Sequence, residues 1–174
     1  MLVARPGVSY LAYKLRGEQE VTHFTPRFQT MFSWSPDKHQ ALQLFFALGN
    51  TFPTLNTVNA AEQQVDRVLV RRGNPTMDNS TLLGPALTYM LNFKKWSALL
   101  SANYDYMSNA IANVYLRDNS RLINTYSSDT RYHQFQLLLS ATWKAVSDFN
   151  VKWDGGYDYY RVTGAADERL GGCY

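Results

Sequence analysis

Residues 96–106 read WSALLSANYDY, a stretch in which apolar and polar side chains alternate. Trp96, Leu100 and Tyr104 stand at even positions, whereas serine, asparagine and aspartate occupy most odd positions. Successive side chains of a β-strand point to opposite sides of the sheet, so this pattern predicts a strand with one apolar and one nearly polar face. A helix would mix the two sets around its circumference.

The same period of two recurs along most of the chain. It predicts an all-β fold, an antiparallel up-and-down meander of about seven strands, as part of a transmembrane outer-membrane β-barrel. The predicted strands are residues 7–16, 26–34, 39–49, 82–93, 95–116, 121–144 and 149–163.

The predicted connections alternate in length. Short turns are expected at residues 35–38, 94–95 and 145–148, and longer segments at 17–25, 50–81 and 107–130. Short turns at one end and long loops at the other are the layout of bacterial outer-membrane barrels. Within the last long segment, a turn at residues 117–120 predicts two protruding strands that join at a tight tip.

The tryptophans give an independent signal. Trp34, Trp96, Trp143 and Trp153 all lie within a few residues of a predicted short turn, as expected for the periplasmic aromatic girdle of a barrel. The convex, lipid-facing side is then predicted to carry Leu42, Leu44, Leu100, Leu137, Leu139 and Val151. The concave side is predicted to carry Gln43, Ser101, Gln136 and Asp154.

Composition agrees with a membrane protein. The 174 residues are 45% hydrophobic and only 18% charged, which is little charge for a soluble surface. The basic residues are scattered and the net charge is +3, so a nucleic-acid partner is not expected. Cys173 is the single cysteine and is interpreted as incidental. The start runs directly into a strand pattern without a signal peptide, which suggests that the N-terminus of an exported protein is missing.

Residues from about Ser9 to Tyr160 resemble the barrel of Bacteroidetes-type TonB-dependent outer-membrane receptors. The resemblance rests on Phe52-Pro53-Thr54-Leu55-Asn56, on Val70-Arg71-Arg72-Gly73-Asn74-Pro75 opening a strand, on Tyr104-Asp105-Tyr106 before Ile111, and on Tyr126 to Phe135 entering a strand with Gln134 and Gln136. The chain departs from the family at Thr76-Met77-Asp78, where Leu-Lys-Pro is usual. Gly73 is expected to supply unusual backbone angles, Pro75 a fixed φ, and Asn74 a tolerant pre-proline residue.

The resemblance implies active uptake of a nutrient, of the glycan, peptide or metal-chelate class, through a plugged barrel. Family barrels have about 22 strands around a plug, so residues 1–174 are expected to form a partial barrel domain that lacks the plug and the remaining strands. The implied partners are outer-membrane lipid, those missing parts, a TonB-type energy-coupling protein and a candidate surface lipoprotein. The implied location is the bacterial outer membrane.

No catalytic, cofactor or metal motif is present in the sequence, so the chain is not predicted to be an enzyme, and no ligand-binding residue can be named. His23, His39 and His133 are far apart. The charged strand residues Lys14, Arg27, Lys152, Asp154 and Asp158 are interpreted as polar lining of a wet lumen. Two alternatives remain: an outer-membrane barrel enzyme, for which His133 near Asp129 is the only hint, and a soluble lipocalin-like barrel with its apolar face inside.

Overall fold

The computed structural model describes residues 1–14, 20–118, 120–146, 149–164 and 168–173, with Val146 and residues 168–173 described by their backbone alone. These residues form ten strands and one short helix. In order these are β1 Leu2–Lys14, β2 Glu20–Asp37, β3 Gln40–Thr51, α1 Leu55–Val58, β4 Gln63–Gln64, β5 Leu69–Arg71, β6 Ser80–Asn92, β7 Trp96–Asp118, β8 Arg121–Val146, β9 Phe149–Thr163 and β10 Glu168–Cys173.

The main strands pair with their sequence neighbours in one antiparallel meander. The order is β1-β2-β3-β6-β7-β8-β9-β10. The short strand β5 is the exception, since it runs parallel to the first residues of β8, with Leu69 opposite Leu122. The sheet curls into a half-barrel, and the predicted fold class is confirmed.

The seven predicted strands are all present, but several begin or end elsewhere. Strand β2 begins at Glu20 rather than residue 26, and β1 begins at Leu2 rather than residue 7. Pro6 lies within β1, opposite Phe28 of β2. The end predicted for the first strand, residues 15–16, and part of the segment 17–25 lie outside the described residues.

Four elements were not predicted: helix α1, the short strands β4 and β5, and strand β10. The first three lie in the segment between β3 and β6 that was expected to be a long loop. None of them shows a period of two over enough residues to be recognised, because β4 and β5 contain only 2 and 3 residues.

Strands β7 and β8 are much longer than a membrane requires. They contain 23 and 26 residues, whereas ~9–11 residues cross a bilayer. They remain paired up to Asp118 and Arg121, which confirms the predicted tight tip, although Asn119 lies outside the described residues. Two register shifts, between Met107 and Ala112, interrupt the pairing about halfway along β7, and Asn109 there has a positive φ of 53°.

The buried apolar side chains of the described residues are few and lie at one end. Val58, Val70 and Met77 belong to the segment between β3 and β6. Ile123 on β8 is paired with Val70, and Val162 lies at the same end of the sheet, near the end of β9. No buried apolar side chain is found in the described part of β1, β2 or β3. Among the described residues, no helix has the length and apolar character needed to cross a bilayer.

Candidate membrane-spanning face and outer loop

Strand register sorts the side chains of the sheet onto two faces, because residues directly opposite in an antiparallel pair share a face. One row runs through Trp34, Leu42, Tyr89, Leu100 and Leu139. All six residues predicted to face lipid lie on the side of this row, which we call the apolar face. The neighbouring row, with Gln43, Thr88 and Ser101, lies on the opposite side, the polar face.

The register therefore confirms how the sequence divided the side chains. Gln43, Ser101, Gln136 and Asp154 all lie on the polar face, opposite the six predicted apolar residues. That the apolar face is the convex one remains a prediction.

The tryptophans lie on the apolar face, near the end of the sheet with the short turns. Trp96 begins β7 and is directly opposite Trp143, and the two rings stack with centroids 5.6 Å apart. Trp34, Trp96, Trp143 and Trp153 are 41% to 55% exposed, so none of them fills a protein core within the described chain. An exposed flat amphipathic ring is favoured at a membrane interface.

A second aromatic row lies further along the same face, and sequence reasoning missed it. Tyr106 is opposite His133, with ring centroids 4.8 Å apart, and Tyr104 is opposite Phe135. The Tyr104 hydroxyl and His133 Nδ1 share a hydrogen bond of 2.8 Å. Both tyrosines belong to the stretch 96–106 from which the strand pattern was read. Their spacing from Trp96 was the signal that could have predicted a second aromatic row.

The spacing of the two rows fits a bilayer. Ten positions separate Trp96 from Tyr106 on β7, and ten separate Trp143 from His133 on β8. At ~3.3 Å per residue this is about 33 Å along the strand. A strand tilt of ~40° reduces it to about 25 Å of depth, the height of the apolar band of outer-membrane barrels. Between the rows, the apolar face of β7 and β8 carries no charge: Ala98, Leu100, Ala102, Phe135, Leu137, Leu139 and Ala141.

The polar face carries the charged groups. Asp154 accepts a hydrogen bond of 2.5 Å from Ser140 on β8 and pairs with Lys152 at 2.9 Å. Asp158 lies opposite Gln136 on the same face.

Strand β1 corrects one expectation. Lys14 was interpreted as lumen lining. It lies opposite Glu20 and on the same side of the sheet as Tyr10 and Phe24, which is the apolar face. It stands at the last described residue of β1, where the strand is beyond the apolar band. Leu11 is opposite His23, on the polar face.

The segment 52–79 folds across the outer parts of β7 and β8, and we call it the docked loop. Its strand β5 is joined to β8 by backbone hydrogen bonds, among them Leu122 N to Val68 O at 2.6 Å and Arg72 N to Asn124 O at 2.9 Å. Val58 is its anchor, with 1% of the side chain exposed. The docked loop thus extends the sheet where β9 has ended.

The segment that carries the family resemblance holds this loop together. The Gly73 and Asn74 amides donate to the carbonyl oxygens of Asn59 and Thr57 at 2.9 and 2.7 Å. The Asn74 side-chain amide donates to Tyr126 O on β8 at 3.0 Å, and its oxygen accepts from the Thr76 amide at 3.0 Å. Asn74 therefore links the docked loop to the sheet.

Two expectations about this segment were wrong. Gly73 has no positive φ; glycine is required for space, because a Cβ atom there would lie 2.5 Å from Asn59 O and 2.7 Å from Asn59 N. The segment also does not open a strand, since β5 ends at Arg71 and β6 begins only at Ser80. The intervening residues form the hydrogen-bonded link described above.

Comparison of the fold with solved structures gives matches to transporters. The structure titled "Copper transporter OprC" matches 87% of this chain with a TM-score of 0.61 and 11% identity. The FrpB iron transporter from Neisseria meningitidis (F3-3 variant) matches 82% of the chain with a TM-score of 0.51 and 11% identity. The chain folds as part of an outer-membrane β-barrel.

This barrel segment spans about a fifth of the structures it matches, 22% of the first and 20% of the second. No family model and no curated protein sequence matches it. The resemblance of the sequence to TonB-dependent receptor barrels is thus supported at the level of the fold.

A small polar cavity of about 190 Å³ lies within the docked loop of this barrel segment. It is lined by Asn56, Asn59, Gln63, Arg71 and Tyr126, among others. These side chains offer amide groups, a guanidinium and a phenol, which suit hydrogen bonding to a polar solute.

The three histidines of the barrel segment lie apart. His23 packs beside Tyr13, His39 stacks on Phe93, and His133 is bonded to Tyr104. No group of three metal-binding side chains occurs in the described part of the chain. His133 and Asp129, the only hint of an enzyme, are not joined, since Asp129 accepts its hydrogen bond from Ser127.

Proposed function

We propose that this chain is part of the barrel wall of a TonB-dependent outer-membrane receptor that takes up a nutrient actively. The observation that carries the proposal is the pair of aromatic rows, ten residues apart on β7 and on β8, that bound an uncharged apolar band. In a soluble sheet, nothing favours amphipathic rings at both margins of a stripe of exposed apolar residues, whereas a bilayer favours them at its two interfaces.

The polar face supports a water-filled interior. Asp105, Gln134, Gln136, Asp154 and Asp158 lie on that face. Transfer of a charged group into hydrocarbon has a large free-energy cost, so this face must turn toward water. We place it toward the lumen, where a plug domain from elsewhere in the protein would control access.

The chain alone is not expected to transport. Among the described residues β1 pairs only with β2, and β10 only with β9, so two strand edges lack partners. Unpaired N–H and C=O groups cost several kcal/mol apiece in hydrocarbon, so the remaining strands must close the barrel. A TonB-type protein would then supply energy through the plug.

The ligand is proposed to belong to the glycan, peptide or metal-chelate class. The names of the two matched structures refer to copper and iron, which bears on metal-chelate uptake. Within this chain, the polar cavity of the docked loop would contribute hydrogen bonds to whichever solute reaches the outer end of the barrel.

The orientation can be tested with lipids that carry bromine at defined depths, because bromine quenches nearby tryptophan. The complete receptor, with Trp96 and Trp143 as reporters, is reconstituted in vesicles brominated near the headgroup or at the chain ends. Quenching should be stronger for bromine near the headgroup. Equal, weak quenching by both lipids would show that the tryptophans do not face the bilayer.

Energy coupling requires a separate experiment. Uptake of candidate nutrients is measured in cells with and without their TonB-type protein, at equal amounts of receptor in the outer membrane. If uptake persists without the coupling protein, the nutrient enters by passive diffusion through the barrel, and the proposal of active transport is wrong.

Residues 1–174 expressed alone give a third test. The apolar face is one broad exposed patch, so the isolated chain should aggregate or require detergent. A monodisperse, β-rich monomer in gel filtration without detergent would contradict the membrane assignment.

A further inference from the structure

Two arginines and a histidine form a cluster at the outer margin of the apolar face. Arg161 on β9 lies directly opposite His133 on β8, and Arg131 lies two residues further along β8, opposite Thr163. Since residues two apart on a strand share a face, Arg131 belongs to the same face as His133. The cluster stands beside Tyr106, in the outer aromatic row.

The guanidinium groups of this cluster have no carboxylate partner among the described residues. The nearest acidic residue along β8 is Asp129, and its carboxylate accepts a hydrogen bond from the Ser127 hydroxyl instead. The Arg161 Nε atom is buried without a hydrogen-bond acceptor in the described structure. A buried donor without a partner is costly, so the described protein groups leave the Arg161 guanidinium incompletely hydrogen-bonded.

His133 can add a neutral donor. Its Nδ1 atom is 2.8 Å from the Tyr104 hydroxyl. When this hydroxyl donates to Nδ1, the proton of the neutral ring lies on Nε2, so Nε2 can donate to a ligand. Packing against Tyr106, with ring centroids 4.8 Å apart, restrains the orientation of the ring.

We propose that Arg131, His133 and Arg161 bind the phosphate of an outer-leaflet lipid headgroup. Guanidinium groups match phosphate oxygens with paired hydrogen bonds, and they are more weakly hydrated than ammonium groups. A lipid suits the position because the uncharged band begins directly below the cluster, with Phe135 and Leu137 next along β8 on the same face. An acyl chain attached to the bound phosphate would lie along that band.

This inference rests on the proposed membrane orientation, and the experiment separates the two. The complete receptor is purified in mild detergent, and its binding of diphosphoryl lipid A and of phosphatidylcholine is measured by native mass spectrometry. The Arg131→Gln/Arg161→Gln double variant is compared with Arg5→Gln/Arg27→Gln, which removes the same charge from the polar face. Circular dichroism confirms that each variant is folded.

The receptor should retain diphosphoryl lipid A, and the Arg131/Arg161 variant should bind it about tenfold more weakly or worse, since one charged hydrogen bond contributes about that factor. The Arg5/Arg27 variant and phosphatidylcholine binding should not change. If neither variant changes lipid A binding, the headgroup site is wrong while the barrel stands. If only the Arg5/Arg27 variant loses binding, the two faces are reversed and the proposed orientation fails. Displacement of lipid A by millimolar inorganic phosphate would show a site for free anion rather than lipid.

Discussion

The apolar band and the docked loop are stabilised in different ways. In the band, no single residue is decisive: each strand repeats the same alternation, and the apolar side chains of β7 and β8 remain without a protein core above them. The docked loop depends on a few individual groups, such as the buried Val58, the tight packing at Gly73 and the link from Asn74 to Tyr126. One region is specified by a pattern and the other by particular contacts.

This difference predicts how each region responds to substitution. A residue of the band should respond according to its face, because its surroundings are lipid or water. The effect of a substitution in the docked loop should depend on the particular atoms that the side chain contacts, and not on which face of the sheet it lies.

The largest effect is expected in the band. Leu100 lies on the apolar face near the middle between Trp96 and Tyr106, so Leu100→Arg should lower the free energy of unfolding by ~2–4 kcal/mol. The measurement is guanidinium unfolding of the complete receptor in lipid vesicles, followed by tryptophan fluorescence. Ser101→Arg, one residue away on the polar face, is the matched control and should cost much less. Equal losses for the two variants would remove the distinction between the faces.

The docked loop should be most sensitive at Gly73. In Gly73→Ala the added methyl meets the backbone of Asn59 at 2.5 Å, and backbone cannot move aside like a flexible side chain. Such overpacking costs roughly 1–3 kcal/mol. Hydrogen exchange at the β5 amides should therefore accelerate while the barrel strands stay protected. Gly49→Ala on β3, where nothing lies within 4 Å of the new Cβ, is the control, and acceleration there as well would contradict a local effect.

A smaller effect is expected at Asn74. Asn74→Ala removes the hydrogen bond to Tyr126 O and should weaken loop docking by about 1 kcal/mol, the usual net value of one such bond. Protease cleavage of the loop in the folded receptor measures the change. Asn56→Ala also removes an amide from the loop, but from an exposed residue without a described hydrogen bond, and cleavage should stay at the original rate. If both variants are cleaved equally fast, Asn74 does not hold the loop.

The same difference explains what could be predicted from sequence. Strand β9 was placed at its observed bounds, 149–163, because a period of two over a long stretch survives local irregularity. The division of Leu100 and Ser101 between faces followed from that period alone. The docked loop could not be predicted this way, since β5 contains 3 residues and its partner strand is distant in sequence. Gly73 was recognised as important, but its reason is the proximity of Asn59, which only the fold reveals.

The smallest effect concerns Asp66, at the turn between β4 and β5, and it depends on pH. Its Oδ1 accepts hydrogen bonds from the Val68 and Leu69 amides at 2.8 and 2.7 Å, and these bonds hold the pKa of the carboxyl below its ordinary value. A carboxyl whose pKa is lower in the folded state stabilises that state above its unfolded pKa, and the contribution is lost as the pH falls through the folded pKa. The turn should therefore be intact at neutral pH and open progressively as the pH falls through the ordinary aspartate range and below it. The Leu122 amide reports this opening, because it donates to Val68 O, and its hydrogen exchange, corrected for the intrinsic rate, should rise in acid.

The control variant is Asp66→Asn, which keeps the acceptor oxygen without the charge. In this variant the exchange of the Leu122 amide should be slightly faster at neutral pH and independent of pH. An equal acid response in Asp66→Asn would assign the pH dependence to a group other than Asp66.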